Sequence, residues 1–156
     1  METLTSHTGK FFEATMASIG LLPDGTTGPY KTTFAVLADT FAQAESLAMV
    51  MLASDGSDDI EAQAIRIAPY REVLTSGEHG KFFRVRVKMV TINERTGKEK
   101  NSFCSYLVEA DSTEMAQRLV NGQVIAGSML DYEISSITET SVSECLLHNE
   151  KDSGHE

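Results

Sequence analysis

The sequence predicts an α+β protein: two tandem strand-strand-helix-strand units packed into one compact pseudo-symmetric body. Three observations carry that reading. The chain repeats itself, Lys10-Phe11-Phe12 returning as Lys81-Phe82-Phe83, Val36, Ala38 and Asp39 as Val108, Ala110 and Asp111, and Asp59, Glu61 and Ile65 as Asp131, Glu133 and Ile137. The first block is displaced by 71 positions and the others by 72, so one extra residue falls between them, where a turn tolerates it. Within each copy the apolar period switches from two to that of a helix and back, in the same order. Finally, units of about 65 residues bury little surface alone, which favours packing the two together. The expected boundaries are an N-terminal extension over 1–9, a first unit over 10–75, a linker over 76–80, a second unit over 81–147 and an acidic flexible tail over 148–156.

In the first unit, Pro23-Asp24-Gly25 marks the turn between two strands, the second of which runs from Lys31 to Leu37. Asp39-Thr40 opens a helix through Ala44, Leu47, Ala48 and Val50 to about Ala53. The run Ser54-Asp55-Gly56-Ser57-Asp58 stops it, and Ile60 to Ile67 forms the last strand before Pro69. Ser76-Gly77-Glu78-His79-Gly80 is the linker. In the second unit, Phe83, Val85, Val87 and Met89 alternate with Arg84, Arg86 and Lys88, as a half-buried strand requires. Glu94-Arg95-Thr96-Gly97-Lys98 is a polar hairpin turn, and the return strand runs from Ser102 to Glu109. Asp111-Ser112-Thr113-Glu114 supplies an acceptor for free helix N–H groups, with Met115, Leu119 and Val120 at helical spacing behind it. Gly127 ends that helix, and Tyr132, Ile134, Ile137 and Val142 lie along one final extended segment. One ring of each Phe-Phe pair is expected to point inward.

The stretch from Phe82 to Glu144 resembles an uncharacterised domain family of Bacteroidales gut bacteria and the phages that infect them. The likeness is carried by Phe82-Phe83, Thr96-Gly97-Lys98-Glu99-Lys100, Leu107-Val108-Glu109-Ala110 and the run Asp131-Tyr132-Glu133-Ile134-Ser135-Ser136-Ile137-Thr138-Glu139-Thr140. Members of that family look like two copies of a strand-strand-helix-strand unit, so the resemblance implies the same architecture over most of the chain and a phage or mobile-element setting. It implies no catalytic residue. The first half departs from the family in carrying Pro23-Asp24-Gly25-Thr26-Thr27 where a member carries a basic turn.

Composition removes several classes. The balance of 13 Lys and Arg against 23 Asp and Glu, a net charge of −10, opposes a protein that wraps duplex DNA, which needs a wide cationic surface. No apolar run approaches the roughly 20 residues that span a bilayer, and Met1-Glu2-Thr3-Leu4-Thr5-Ser6 carries no cationic or apolar secretory signal. A cytoplasmic location is expected, with Cys104 and Cys145 as reduced thiols, and the resemblance implies that the cell is a bacterial host. Phosphate-loop, dinucleotide, zinc-protease and nucleophile-elbow patterns are all missing from the sequence. Cys145 and His148, with His155 beyond, lack the second ligand pair a zinc site needs. Asp131 and Glu133, with Asp59 and Glu61, suit turn caps better than paired catalytic acids. The chain is therefore expected to be no enzyme, and to use no cofactor or metal.

Charge distribution says more. Residues 81–100 hold seven of the 13 cations against Glu94 and Glu99, a net +5, which leaves −15 for the rest. Strand alternation places Phe82, Arg84, Arg86 and Lys88 on one face, with Lys98 and Lys100 following the turn. Cations beside an aromatic suit single-stranded nucleic acid: charge meets phosphate, and Phe82 is the expected stacking platform for a base. The expected partner is single-stranded DNA or RNA, through Phe82, Arg84, Arg86, Lys88, Lys98 and Lys100. The alternatives are an acidic interaction or inhibitory module acting on a host or phage protein, and a virion-associated structural protein.

Overall fold

The computed structural model describes residues 3–128 and 131–147; the tail over 148–156 lies outside them. In chain order the elements are β1 (Thr5–His7), β2 (Phe11–Leu21), β3 (Thr27–Leu37), α1 (Phe41–Ser54), β4 (Asp58–Ala68), β5 (Tyr70–Thr75), β6 (Lys81–Ile92), β7 (Glu99–Ala110), α2 (Thr113–Val120), β8 (Asp131–Glu139) and β9 (Val142–Leu147). The fold is mixed α and β, dominated by strands, with two α-helices among the described residues. No helix there is long and apolar enough to cross a membrane.

The elements recur at the sequence offset: Phe41 and Thr113 begin the helices, Tyr70 and Val142 the last strands. Each copy also holds one strand more than the sequence pattern shows. The final segment expected in the second copy is two strands, broken at Thr140-Ser141, and the first copy holds a further strand, β5, beyond the last one expected, across Pro69. Proline has no N–H to donate to a ladder and fixes its own φ, so the chain changes sheet there.

That change of sheet reorganises the molecule. One compact unit is Met1–Thr8 with Pro69–Thr140, and the other Gly9–Ala68 with Ser141–Glu156. We call them unit 1 and unit 2. The strand order is β1-β5-β7-β6-β8 in unit 1 and β4-β2-β3-β9 in unit 2. Thus β5, made by the first repeat, runs parallel to β7 of the second, and β9 runs parallel to β3. The two parallel registers are equivalent: Thr33 faces Val142 and Tyr70 faces Ser105, and adding 72 to Thr33 and Tyr70 gives Ser105 and Val142. All other pairings are antiparallel. The segment expected as an N-terminal extension contributes β1, which pairs with β5. His7 ties that edge by a 2.9 Å hydrogen bond between its Nε2 and Thr75 Oγ1, and burial holds its imidazole below the usual value.

One face of each sheet is roofed by a helix. In unit 1, Phe83, Val85 and Val87 of β6 and Tyr106, Val108 and Ala110 of β7 meet Met115, Ala116, Leu119 and Val120 of α2. Those four helical positions form one stripe, with Glu114, Gln117 and Arg118 facing water. In unit 2, Phe12, Ala14 and Met16 of β2 and Phe34, Val36 and Ala38 pack on Ala44, Ala48 and Leu52 of α1. Burying each Phe contributes about 1.5–3 kcal/mol. Strands β4 and β8 bring their inward residues into line through a bulge at the same place. The register of β8 skips between Ser136 and Ile134, opposite Arg86 and Val87, so Ile134 and Ile137 both reach the α2 core. The register of β4 skips between Ala64 and Ala62, so Ala62 and Ile65 both reach the α1 core.

Each helix starts on a hydroxyl cap. Thr40 Oγ1 accepts from Gln43 N–H at 3.1 Å, while Gln43 Oε1 accepts from Asp39 N–H at 2.6 Å. Ser112 Oγ accepts from Met115 N–H at 3.1 Å, so the cap lies one residue beyond Asp111. After α2 the chain widens into a π-turn over Asn121–Ile125, closed by Ala126 N–H on Asn121 C=O at 2.9 Å. All four rings of the Phe-Phe pairs are buried, where one of each pair was expected. Phe12 and Phe83 face the helices; Phe11 and Phe82 occupy the opposite faces and are buried as well. Cys104 on β7 and Cys145 on β9 lie in different sheets and are not joined to each other.

Candidate nucleic-acid interface

The candidate site is the face of the unit 1 sheet turned away from α2. The β6–β7 ladder runs without a break from Lys81 opposite Ala110 to Ile92 opposite Glu99, so residues directly opposite share a face. Phe82 with Glu109, Arg84 with Leu107, Arg86 with Ser105 and Lys88 with Phe103 are such pairs. At one end this face is closed: Phe82, Leu107 and Val73 are buried. At the other it is open and cationic, with Arg84 and Arg86 exposed.

The expected stacking ring is therefore the wrong one. Phe82 is only 4% exposed, because it sits at the closed end opposite the buried Glu109. Phe103 takes its place, 45% exposed, with the Arg86 guanidinium 4.0 Å from its ring centroid. That cation–π stack holds a planar cation and a planar ring in one open cluster. The Asn93–Lys98 pairing at the turn sets Phe103 opposite Lys88, whereas a turn over Glu94–Lys98 would set it opposite Met89 on the other face, so a one-residue difference in the turn hid this ring.

The predicted cations divide. Arg84, Arg86 and Lys88 share the open face, and Arg84 Nε donates to Ser105 Oγ at 3.4 Å. Lys98 belongs to the turn, where its C=O accepts from Asn93 N–H at 2.8 Å. Lys100 lies opposite Thr91, one step out of phase with the three, and so on the other face. Lys88 is itself engaged, its Nζ 2.9 Å from Glu133 Oε1. Glu133 and Asp131, expected as turn caps, lie within β8, opposite Lys88 and Val90.

Glu109 is the residue the sequence pattern did not single out. Its carboxylate is 2% exposed and accepts from the backbone N–H groups of Ser76 and Gly77 at 3.0 Å each and of His79 at 2.7 Å. Burial alone raises its pKa, but the N–H groups of Gly77, His79 and Ser76 outweigh that and hold the carboxyl below its usual range. The segment read as a linker is thus a loop wound around an anion, with Gly77 at φ +79° to point its N–H inward. On the same loop, His79 Nδ1 lies 2.8 Å from Oδ1 of Asp111, which follows β7.

On the helix side, Tyr106 is pushed well up by burial and next by Cys104, so its phenol is a neutral hydroxyl near pH 7. Cys145 lies on β9, while His148 and His155 fall outside the described residues, which contain no cluster of three or more His, Cys, Asp or Glu able to hold a metal.

A family profile described as a domain of unknown function, DUF4494, matches residues 10–148. The chain belongs to that family. No curated protein and no solved structure matches it. The DUF4494 match spans both repeats, so it includes the open cationic face, the Glu109 loop and both strands that change sheet.

Proposed function

We propose that this DUF4494 protein is a non-enzymatic binding protein of a phage or mobile element, acting in the bacterial cytoplasm on single-stranded DNA or RNA. The observation that carries the proposal is the Arg86–Phe103 stack beside Arg84 on an open sheet face. The guanidinium groups meet phosphate oxygens in bidentate fashion, and the half-exposed ring offers a base a sequence-tolerant platform. The resemblance to a family of Bacteroidales and their phages supports the setting. Local charge sets the contact while the acidic remainder suppresses non-specific binding.

The test is anisotropy of a labelled oligodeoxythymidine and an oligouridine from about 50 to 200 mM salt. The double variant Arg84→Ala/Arg86→Ala should weaken binding and flatten the slope of log K against log salt by about 1.4, at ~0.7 for each lost phosphate contact. Phe103→Ala should cost about 1–3 kcal/mol with the salt slope intact. Absence of binding at low salt, or indifference to the double variant, overturns the proposal.

A second reading rests on unit 2. Its residues 9–68 and 141–147 carry three cations against nine acids, and the outer side of α1 exposes Ala42, Ser46, Val50 and Ala53, an uncharged stripe, while Phe41 lies on the inner side against Phe12. An uncharged helix side on an acidic unit suits docking to a basic protein surface. Loss of binding to a basic protein partner on Val50→Lys, with oligonucleotide binding absent from the native chain, would support this reading over the first.

A further inference from the structure

The cationic face is not uniform along its length, and the variation follows from the β6–β8 register. Opposite Arg84 and Arg86 the edge strand sets Thr138 and Ser136, hydroxyls that leave the guanidinium charge intact. One bulge further on, Lys88 meets Glu133, and Val90 meets Asp131. The Lys88 ammonium and the Glu133 carboxylate are 2.9 Å apart, with 29% and 67% of their side chains exposed, so the pair lies at the surface, within reach of a ligand.

We infer that Glu133 is a built-in competitor for the anionic ligand at the hairpin end of this face, so that the protein grips only a short stretch of single strand, at Arg84, Arg86 and Phe103. The inference rests on the nucleic-acid reading above and adds to it a footprint and a residue that limits it. Arg84 and Arg86, two strand positions apart, are separated by roughly 6.6 Å of backbone, at about 3.3 Å per residue, which is the order of the spacing between successive phosphates in an extended strand. A third phosphate would reach Lys88, but there it must displace a carboxylate already neutralising the ammonium. No counterion is released by that exchange, so Lys88 adds nothing to the salt dependence. Asp131, next along β8 on the same face, repels the backbone beyond.

The experiment compares the full chain with Glu133→Gln, Lys88→Ala, the double variant and Glu139→Gln, by anisotropy of a labelled oligodeoxythymidine over a salt series. Glu139 lies opposite Phe83, on the face that α2 covers, so Glu139→Gln removes the same charge without touching the cationic strip. Glu133→Gln should tighten binding several-fold at low salt and steepen the salt slope by about 0.7, one added phosphate contact. Lys88→Ala should change little in the native background and abolish the gain in the Glu133→Gln background. Glu139→Gln should leave the slope where it was. Native binding with no gain in Glu133→Gln, or an equal gain in Glu139→Gln, overturns this inference and leaves the proposed function standing. A native chain that binds no oligonucleotide at low salt overturns both. Surface pairs of this kind add little to stability, and thermal melts check that each variant folds.

Discussion

The helix-free faces of the two sheets occupy equivalent positions in the repeat and differ in charge, one cationic and the other balanced, with Lys31 and Arg66 set among Glu13 and Glu61. Where unit 1 has Arg84 opposite Leu107 and Arg86 opposite Ser105, unit 2 has Glu13 opposite Ala35 and Thr15 opposite Thr33. Where unit 1 sets Lys88 against Phe103, unit 2 sets Ala17 against Lys31. Glu13 is held at 2.8 Å by Arg66 of β4, the position that Thr138 fills beside Arg84. The helix-covered faces, by contrast, match in kind: Phe12, Ala14 and Met16 against Phe83, Val85 and Val87. Packing against a helix restricts volume and polarity, so the covered face had little freedom to diverge. An open face carries no such restriction, and there the charge separated. Unit 1 holds nine of the 13 cations.

The sharpest way to break this comparison is through the strands that change sheet. Leu74 on β5 and Leu146 on β9 are equivalent, and each is buried in the core of the unit built mainly from the other repeat. An uncompensated buried carboxylate there is expected to cost more than about 4 kcal/mol. Leu74→Asp should expose the amides of residues 81–139 in hydrogen exchange, although Leu74 lies in the first repeat, whereas Leu146→Asp should expose those of 11–68. Loss of protection confined to the mutated repeat would contradict the strand exchange.

Glu109 sharpens the comparison next, because its counterpart in unit 2 is Leu37, which lies beside Gly9 and has no side-chain acceptor to offer a loop. Glu109→Ala leaves three inward N–H groups without an acceptor and should cost about 3 kcal/mol in urea unfolding, at ~1 kcal/mol or more for each. The sign of its pH dependence is set by a carboxyl pKa lower in the folded state than in the unfolded one. Its contribution is complete above the unfolded value of about 4.3 and is lost as pH falls through the folded value. Glu109→Gln should therefore flatten the acid limb of stability below about pH 4.

The smallest effect belongs to the helix caps. Thr40→Ala and Ser112→Ala should each cost about 1 kcal/mol, read as a shift in urea midpoint. A much larger loss at Thr40 would show that α1, with its uncharged outer side, depends on its cap more than the amphipathic α2 does.

Much of the architecture was legible because it is local. Alternation at Phe83, Val85 and Val87 located β6, and the Met115, Leu119, Val120 spacing located α2. The exchange of β5 and β9 was not, since parallel pairing between Tyr70 and Ser105 leaves no periodicity in either segment. The cationic triad was legible for the same reason as the strand. Its aromatic partner was misassigned to Phe82 because alternation identifies which residues share a face, and cannot tell the closed end of that face from the open one. Glu109 escaped notice because a carboxylate in an alternating strand looks solvated; only the returning loop shows that it is an anchor.

The exchange of strands also sets an order of manufacture. Unit 2 begins with the earlier-made β2 and β3, yet its edge partner β9 follows about a hundred residues after β3. At about 5–20 residues per second, the ribosome leaves the outer edge of β3 without that partner for roughly 5–20 s. During that interval the nascent chain presents a bare strand edge, the kind that recruits other chains. The first half to be synthesised is thus the last to be sealed, and its safe passage depends on how quickly translation delivers the closing strand.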